Sequence, residues 1–378
     1  MNRQHGFKLR RRACLFGAAG ALALGLVGWA PPAAAQSEWG RATLQGAGSS
    51  FVWPLVRQWA QDYRQTRLGT APVDARAARW LPNSGLDDDI GGPALEYEPV
   101  GSTAGIQRVA RGAVDLAFSE EALSSAELRK LGLVQWPIVL GGVAVAVHPG
   151  VSEQGVRLDG AVLTDIFLGK VSNWSAPEIV ALNPNVELPD LPIAVVHRSD
   201  GSGTSFVFTH YLAAVSPEWK SRVGADSRVE WPLGVGARGS GGMVEAVART
   251  VGGIGYVDAV QARSAGLTIA SLRNSAGEFV QPTAESIVAA AANAAWSTER
   301  DYEEVVVNTV GEQSYPIVAT VFALMRDRPG RRAGHILAFL EWTQRHGAPS
   351  AQQLGYVPLP SFIADKLASS LTAQRSKE

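Results

Sequence analysis

Short apolar runs alternate with amphipathic stretches along most of this chain. The run Ile193–Val196 has the length of a buried strand, and residues 206–215 after it have the composition of a helix. Closer to the amino terminus, a short strand signal at Ala42–Leu44 precedes a second amphipathic stretch. Apolar side chains recur there at every fourth residue: Phe51, Leu55, Trp59 and Tyr63. The repeated order of strand and helix predicts an α/β fold in which helices cover the sheets.

One apolar run is longer than the others. Val134–Val147 contains the pair Gly141-Gly142, and a second apolar run, Tyr315–Leu324, returns later in the chain. A long run with a central glycine pair predicts a strand that crosses between two lobes and flexes there. We therefore predict crossings at Gly141-Gly142 and near Pro316-Ile317. The predicted ranges are 42–141 with 317–362 for the first lobe, 142–316 for the second, and 363–378 for a tail.

Three turns rich in glycine and serine each follow a predicted strand and precede a predicted helix. They are Gly46–Ser50, Val100–Gly105 and Arg198–Ser205. Pro54 fits the first turn of the helix after the first of them, so this helix is predicted to begin near Ser50. Backbone N–H groups at a helix start bind anions, and the arginine of the third turn adds a planar guanidinium. One such turn is equally compatible with a simple helix cap, whereas three in one chain favour an anion site at the carboxyl ends of the strands.

A segment between the first helix and the second turn has a different composition. Gln65–Glu96 is rich in proline and glycine and carries the acidic run Asp87–Asp89. It predicts a surface insertion with little regular structure. A calcium loop would need spaced aspartates and a closing glutamate, and neither accompanies this run. We interpret the run as solvated, and the role of the insertion stays open.

The first 35 residues have the pattern of an export signal. They contain five basic residues and no acidic one, then the apolar run Ala13–Ala30 and the small residues Ala33–Ala35. This pattern predicts a secretory signal peptide over 1–35, removed after Ala35, rather than a retained membrane anchor. The pair Arg11-Arg12 leaves two export routes open, the general secretory route and the twin-arginine route.

Composition limits the partners of the mature protein. The chain has 378 residues and 46% hydrophobic content, enough to bury a large core. Its only cysteine, Cys14, lies in the predicted leader, so no disulfide, thiolate metal site or cysteine nucleophile is expected after cleavage. Removing the five basic residues of the leader from the formal net charge of −1 leaves −6. Bulk charge therefore does not favour nucleic acid or anionic membranes, and an anion site must be local.

Motifs of common catalytic and metal sites are absent from the sequence. It has no G-x-x-x-x-G-K-[ST] loop, no G-x-S-x-G elbow and no H-E-x-x-H pattern. His197 precedes Arg198, but alternation along a strand points the two side chains to opposite faces, which favours packing for His197. We expect no catalytic residue, metal or cofactor. A secreted phosphatase would need a metal cluster or an activated nucleophile, and it is the enzymatic alternative.

The order and combination of seven segments carry a family resemblance. These segments are Gly46–Phe51, Gly101–Gly105, Ser119-Glu120, Leu158–Gly160, Asp165–Lys170 with Trp174, Arg198–Phe206 and Gly253–Val257. Together they resemble the periplasmic phosphate-binding proteins of phosphate ABC importers, over about residues 42 to 362. The resemblance implies a two-lobed type II periplasmic binding protein fold. In that fold two sheets flanked by helices are joined by two crossing strands, and the lobes close on the ligand.

The resemblance also implies a phosphate site shared between the lobes. In the first lobe, Ser50 and Ser102 would donate from their hydroxyl groups and Phe51 from its backbone N–H. The second lobe would contribute Arg198, Ser202, Gly203 and Thr204. Asp200 would orient the arginine through a salt bridge. Such a site holds a dianion mainly by neutral dipoles and one guanidinium, which avoids burying many charges.

One position departs from the family pattern. Glu120 stands where the usual residue is an aspartate that accepts a hydrogen bond from the protonated oxygen of phosphate. A carboxylate at that point rejects fully ionised sulfate, which has no proton to donate. Glutamate keeps the charge but adds a methylene group. Three outcomes stay open: phosphate with altered affinity, a larger oxyanion such as arsenate or a phosphate ester, or a Glu120 that turns away and is exposed.

The expected function follows from these observations. We expect an exported, monomeric solute-binding protein that captures inorganic phosphate in the periplasm and delivers it to the membrane permease subunits of an ABC importer. No nucleic-acid partner, membrane insertion of the mature chain or enzymatic activity is expected. A protein of the same fold for another oxyanion is the alternative that Glu120 raises.

Overall fold

The computed structural model describes residues 43–67, 95–328 and 330–375. The predicted leader, its cleavage site and most of the predicted insertion lie outside these residues. Within them, strands and helices alternate along the chain, and helices flank the sheets, which confirms the α/β class.

The described residues contain twelve strands and thirteen α-helices. The strands are β1 (Leu44–Gly48), β2 (Leu95–Glu98), β3 (Leu116–Ser119), β4 (Leu133–Val147), β5 (Arg157–Leu158), β6 (Ala194–Arg198), β7 (Val235–Ala237), β8 (Gly253–Asp258), β9 (Thr268–Ile269), β10 (Ser271–Arg273), β11 (Phe279–Val280) and β12 (Val318–Arg326). The helices are α1 (Trp53–Arg67), α2 (Ser102–Ala110), α3 (Ser125–Leu131), α4 (Gly160–Phe167), α5 (Pro177–Leu182), α6 (Gly203–Val215), α7 (Pro217–Arg222), α8 (Gly239–Arg249), α9 (Ala259–Ser264), α10 (Ala284–Ala292), α11 (Ala333–His346), α12 (Ala348–Leu354) and α13 (Ser361–Arg375).

Strand β4 connects the two parts of the main sheet. The strands follow the order β2-β1-β3-β12-β4-β8-β6-β7, with β9 also paired to β4. β4 pairs with β12 up to Gly142 and with β8 from Val143 onward, so its partner changes at the predicted crossing. The two predicted sheets are therefore continuous, because β4 is hydrogen-bonded to both of them. A separate small sheet has the order β11-β10-β5.

The second predicted crossing lies just before β12. The backbone N–H of Val143 donates to the carbonyl of Ile317 at 2.9 Å, which holds the two crossings side by side. The lobe boundaries stay a prediction, and we call the predicted ranges the first lobe and the second lobe. The interior of β4 is buried on both faces, as expected for a continuous apolar strand covered by helices.

The glycine pair of β4 is explained by close packing. A Cβ atom on Gly141 would lie 2.7 Å from the ring of Phe51, and one on Gly142 would lie 2.6 Å from Pro282. Both glycines therefore allow neighbouring side chains to approach the strand closely. The pair serves packing at this point, whatever flexibility it adds.

The beginning of α1 differs from the prediction. The first strand extends through Gly48, so Gly46 and Gly48 belong to β1 rather than to a turn. The helix begins at Trp53 instead of Ser50 because the hydroxyl group of Ser49 accepts the N–H groups of the next residues and holds them in a turn. Pro54 lies in the first helical turn, as predicted.

Two further boundaries are corrected. The predicted insertion over 65–96 is regular at both ends, because α1 continues to Arg67 and β2 begins at Leu95. The tail predicted from residue 363 is instead part of α13 up to Arg375. Three apolar side chains at helical spacing anchor that helix in the core, each 1% exposed: Ile363, Leu367 and Leu371. No helix among the described residues combines the length and apolar character needed to cross a membrane.

Candidate anion-binding site

Two groups of parallel strands direct the predicted site residues toward the crossing in β4. β1 pairs in parallel with β2 and β3, and β6 pairs in parallel with β7 and β8. The two groups run in opposite directions, because β3 with β12, β12 with β4 and β4 with β8 are each antiparallel pairs. The carboxyl ends of both groups therefore point toward the place where β4 changes partner, and α/β folds bind ligands at the carboxyl ends of strands. Five residues at this place form what we call the cleft: Ser102, Glu120, Arg198, Gly203 and Thr204.

Gly203 is the closest contact between the lobes in the cleft. A Cβ atom on Gly203 would lie 2.5 Å from both Glu120 Oε2 and Ser102 Oγ. Gly101 is equally close to the other lobe, because its Cβ position lies 2.6 Å from Asp200 Oδ2. The two lobes are thus closed on each other, and only glycine permits this distance.

Arg198 and Asp200 form a bidentate ion pair. Nε donates to Oδ1 at 2.7 Å and a terminal nitrogen donates to Oδ2 at 2.6 Å, while Gly239 donates its backbone N–H to Oδ1 at 3.1 Å. Burial acts to raise the pKa of Asp200, but the hydrogen bonds and the charge of Arg198 have the larger effect. The pKa of Asp200 is therefore lowered. The guanidinium has five N–H donors, so three are left for other acceptors.

The amino terminus of α6 faces the cleft from the second lobe. Ser202 caps the helix by accepting the N–H of Ser205 at 3.2 Å, which leaves the hydroxyl proton of Ser202 free to donate. Thr204 Oγ1 is buried and is one of five buried side-chain polar atoms without a hydrogen-bond partner in the described part of the chain. A buried hydroxyl group without a partner at the start of a helix can donate its hydrogen bond to an oxygen atom of a bound ligand.

The amino terminus of α2 faces the cleft from the first lobe. Gly101 precedes it with φ 94°, and no side chain caps the helix. By contrast, α3 carries a complete capping box formed by Ser124 and Glu127. The first N–H groups of α2 have no intrahelical partner, and their partial positive charge points into the cleft.

Glu120 is buried in the cleft with 2% exposure. Ser49 donates to its Oε1, and Ser102 donates to its Oε2 at 3.3 Å. Burial raises the pKa of Glu120 to about 7, although the hydrogen bonds of the two serines and the charge of Arg198 act in the opposite direction. Glu120 is therefore not the exposed glutamate that one interpretation of the sequence allowed, and its carboxyl group titrates near neutral pH.

Ser50 and Phe51 have partners within the protein. Ser50 Oγ lies 3.0 Å from Ser240 Oγ and also accepts the N–H of Ser240 at 3.0 Å. The N–H of Phe51 donates to Ser49 Oγ at 3.0 Å. The two residues thus lie beside the cleft, where their polar groups join the first lobe to the start of α8.

Sequence reasoning missed several residues that support the site. Ser49, Ser240, Asp258, Gln261 and Tyr356 all bond to the loop after β1 or to its partners. The first four residues of α8, Gly239 to Gly242, are also rich in glycine and serine, so a similar signal was present for Ser240. Ser49 lies in the first of the three predicted turns, so that signal was present for it too, whereas no such signal accompanies Asp258, Gln261 and Tyr356.

A further contact between the lobes lies beside the cleft. Thr103 Oγ1 is within hydrogen-bond distance of Ser227 Oγ, at 3.1 Å, and of Glu121 Oε2, at 3.0 Å. The backbone N–H of Ser202 donates to the carbonyl of Ser227 at 3.0 Å. Burial raises the pKa of Glu121, while the hydroxyl group of Thr103 acts to lower it.

The backbone of Arg198 is held by an aromatic cluster. Its N–H donates to the hydroxyl group of Tyr256 at 3.0 Å, and that hydroxyl also bonds Ser205 Oγ at 2.7 Å. His197 stacks on Trp231 with ring centroids 5.0 Å apart. The predicted packing role of His197 agrees with this contact. No group of His, Cys, Asp or Glu side chains suited to a metal occurs in the described ranges.

The arrangement can hold an anion with little positive charge. Arg198 is neutralised by Asp200, and Glu120 adds a carboxyl group, so attraction must come from the remaining guanidinium donors, hydroxyl groups and the starts of α2 and α6. A ligand that can donate one proton to Glu120 and accept from the other groups satisfies all of them.

Comparisons with known proteins agree on one family. A family model described as a PBP superfamily domain matches residues 33–345. The phosphate-binding protein PstS of Xylella fastidiosa is 40% identical over 342 residues, which is 89% of this chain and 86% of that protein. The phosphate-binding protein PstS of Haemophilus influenzae is 36% identical over 331 residues, which is 86% of this chain and 92% of that protein.

Solved structures share the fold at lower identity. A high-affinity periplasmic phosphate-binding protein (PfluDING) bound with phosphate has a TM-score of 0.61 and 21% identity, over 87% of this chain and 94% of that one. A substrate-binding protein of Clostridium perfringens with bound phosphate, described as belonging to a phosphate ABC transporter, has a TM-score of 0.56 and 18% identity, over 84% of this chain and 100% of that one. The chain therefore belongs to the PBP superfamily and, within it, to the family of the PstS phosphate-binding proteins.

Proposed function

We propose that this protein captures inorganic phosphate between its two lobes and delivers it to an ABC importer. The observation that carries the proposal is the buried hydroxyl group of Thr204, which has no hydrogen-bond partner among the described residues and lies at the start of α6. Arg198 supplies charged donors at the same cleft, and α2 adds the N–H groups of its uncapped start. These groups form a donor set for the oxygen atoms of a tetrahedral anion.

Glu120 makes phosphate the best ligand for this donor set. Hydrogen phosphate carries a proton that the ionised carboxyl group can accept, whereas sulfate has none at neutral pH and is repelled. Because Glu120 is buried beside the donors, its charge acts at short range and in a medium of low polarity. The relatives named above as phosphate-binding proteins support the same ligand.

Arsenate is the second candidate ligand, and Glu120 is the observation that favours it. The extra methylene group of glutamate changes the position of the carboxyl group relative to aspartate, and arsenate has the same charge and protonation pattern as phosphate at a slightly larger size. The close contacts of Gly101 with Asp200 and of Gly201 with Thr103 argue against a phosphate ester, because they close the cleft to a substituent.

The cellular role belongs to the same proposal. The leader over 1–35 directs export, and the mature protein acts in the periplasm as a monomeric, non-enzymatic receptor. Closure of the lobes on phosphate presents a surface that the permease subunits recognise.

Calorimetric titration of the purified protein with phosphate, arsenate and sulfate tests the proposal. We expect tight binding of phosphate, weaker or comparable binding of arsenate, and no measurable binding of sulfate at a pH well above 7, where Glu120 is ionised. Tight sulfate binding without phosphate binding would overturn it. Turnover of a generic phosphomonoester that is lost in Ser202→Ala would instead favour a phosphatase. Phosphate uptake in cells that lack their own receptor, restored by the wild-type protein only, tests delivery.

A further inference from the structure

The hydroxyl group of Ser49 uses its one donor and both of its acceptor positions in contacts within the protein. A hydroxyl group has one donor and two acceptor positions. Ser49 Oγ accepts the N–H groups of Phe51 at 3.0 Å and of Val52 at 3.3 Å, which fills both acceptor positions. Its third contact is Oε1 of Glu120, and the hydroxyl proton must lie in that contact because backbone amides cannot accept. Ser49 is therefore a hydrogen-bond donor to Glu120.

The rest of Ser49 is held rigidly. Its N–H donates to the carbonyl of Phe118 at 2.8 Å, and its carbonyl accepts the hydroxyl group of Tyr97 at 3.0 Å. The side chain is 1% exposed. A donor fixed in this way imposes its geometry on the carboxyl group that it meets.

The two oxygens of Glu120 are consequently not equivalent. Oε1 accepts from Ser49 and cannot also carry a proton directed at the same hydroxyl group. Oε2 lies toward Ser102 and Gly203, at the contact between the lobes. When Glu120 is protonated, the proton lies on Oε2, and when it is ionised, Oε2 is the oxygen that accepts from a ligand.

The other groups that face Glu120 do not replace the hydrogen bond that Ser49 donates to its Oε1. The charge of Arg198 lowers the pKa of Glu120, and the charge of Asp258 raises it. Burial raises the pKa of the Tyr97 and Tyr356 hydroxyl groups nearby, and the charge of Glu120 adds a smaller effect to each, so both stay neutral. Only the two serines donate hydrogen bonds to the carboxyl group among the described residues, and the contact with Ser102 is the long one, at 3.3 Å.

We propose that Ser49 is a positioning residue for selectivity: it fixes Oε1 of Glu120 as an acceptor and leaves Oε2 as the single oxygen that reads the protonation of the bound oxyanion. This inference rests on the proposed function. By donating to the carboxylate, Ser49 also favours the ionised form, which rejects sulfate. Without this donor, Glu120 keeps its proton at higher pH, and a protonated Oε2 can donate to sulfate as readily as to phosphate.

Measuring the affinities for phosphate and sulfate in Ser49→Ala tests the proposal. We expect the ratio of the sulfate to the phosphate dissociation constant to fall about tenfold or more at neutral pH, the effect of losing one hydrogen bond to a charged group. The pH at which selectivity is half lost should rise by about one unit. In Glu120→Gln, which cannot ionise, adding Ser49→Ala should change the ratio less than about twofold. The control Ser314→Ala removes an equally buried serine whose hydroxyl donates to Val310, and it should leave the ratio unchanged.

The outcomes separate this inference from the proposed function. If the wild-type protein does not bind phosphate, the proposed function fails and this inference fails with it. If it binds phosphate and Ser49→Ala weakens both anions by the same factor, Ser49 only shapes the loop and the inference alone is overturned. Should Ser49→Ala fail to fold, Ser49→Cys keeps the volume with a weaker donor and should shift the ratio in the same direction. A carbon-13 titration of the Glu120 carboxyl group should give a higher pKa in either variant, and an unchanged pKa would contradict the proposal.

Discussion

The side-chain amide of Gln261 lies 3.1 Å from the carbonyl oxygen of Phe51, and this contact joins the second lobe to the loop after β1. The same amide reaches the carbonyl of Ser50 at 3.1 Å and Oδ2 of Asp258 at 3.2 Å. The hydroxyl group of Tyr356 lies 2.8 Å from the Phe51 carbonyl and 2.9 Å from Oδ2 of Asp258, within hydrogen-bond distance of both. A loop that supports the cleft is therefore held from both lobes at once.

Replacing Gln261 with leucine should weaken phosphate binding. The two carbonyls lose a donor, so the loop after β1 is free to shift, and a displacement of a preorganised polar site reduces affinity. We expect a loss of about tenfold in affinity, measured by calorimetry. The control Gln281→Leu removes an amide that bonds Ile269 and Ser271 instead, and it should leave affinity unchanged. Equal effects of the two variants would contradict the role of Gln261.

Removing Arg198 should abolish phosphate binding and also reduce stability. Asp200 would keep one backbone donor but lose both hydrogen bonds from the guanidinium, which leaves a partly buried charge without its partner. Arg198→Ala is expected to lower the free energy of unfolding by about 1 to 3 kcal/mol. Arg198→Ala with Asp200→Asn should recover part of this stability without recovering binding. Denaturant unfolding with phosphate titration checks both results, and binding in the double variant would show that Arg198 is not a ligand.

Adding a methyl group at Gly203 should prevent closure of the lobes. The backbone of Gly203 does not need glycine, since its φ is not positive, but a Cβ atom would lie 2.5 Å from Glu120 Oε2. We expect Gly203→Ala to lose on the order of a hundredfold in phosphate affinity because a clash in a packed contact is not absorbed locally. Gly241→Ala is the matched control, because Gly241 also lies near a helix start and has no atom within 4 Å of its Cβ position. Normal affinity in Gly203→Ala would show that the lobes close with more space than described.

Thr204 should contribute to binding and not to folding. Its buried hydroxyl has no hydrogen-bond partner in the described residues, so Thr204→Val removes a polar group that the folded protein does not satisfy. We expect about tenfold weaker phosphate binding, with stability unchanged or raised by up to about 1 kcal/mol. Thr320→Val tests the same chemistry away from the cleft, because Thr320 Oγ1 is also buried without a partner. A loss of stability in Thr204→Val without a loss of affinity would overturn the assignment.

The protein without ligand should become less stable as the pH rises. Burial raises the pKa of Glu120 from 4.5 to about 7 and that of Asp258 from 3.8 to about 6, so the folded state binds more protons than the unfolded state in these windows. Stability therefore falls between about pH 4 and pH 7, with Glu120 contributing on the order of 2 to 3 kcal/mol.

Thermal unfolding at several pH values in Glu120→Gln checks this slope. The variant cannot titrate at this position, so its stability should fall less steeply above pH 5 than that of the wild-type protein. Identical slopes would show that Glu120 keeps an ordinary pKa. Saturating phosphate should make the stability of the wild-type protein depend less steeply on pH, because the bound ligand favours ionised Glu120. The same addition should not change the pH dependence of Glu120→Gln.

Much of the fold followed from local patterns. The long apolar run predicted β4 to within one residue at its start, and the spacing of Leu55, Trp59 and Tyr63 predicted the buried face of α1, whereas Phe51 lies before that helix. The predicted helix boundaries were less accurate where a side chain accepts the backbone N–H groups at the start of a helix. The start of α1 moved to Trp53 because Ser49 satisfies the amides before it, and no periodicity records such a bond.

Some residues of the candidate site were visible as a local motif, and others were not. Arg198, Asp200, Ser202 and Thr204 are close in sequence, so their grouping was visible as a motif. Ser49, Gln261 and Tyr356 act through contacts between residues far apart in the chain, and a single sequence does not contain those distances. The environment of Glu120 belongs to the same class, since its two serine donors come from the loop after β1 and from the start of α2.

The sequence by itself determined the α/β class, the glycine-rich starts of the helices and the arginine that can bind an anion, because these depend on residue type and local spacing. Only the tertiary structure decided which groups already bond each other and which are free. It placed the hydroxyl groups of Ser49 and Ser102 on Glu120 and left that of Thr204 without a partner among the described residues. The physical reason is that hydrogen-bond satisfaction and burial depend on distances across the lobes, which chain order alone does not specify.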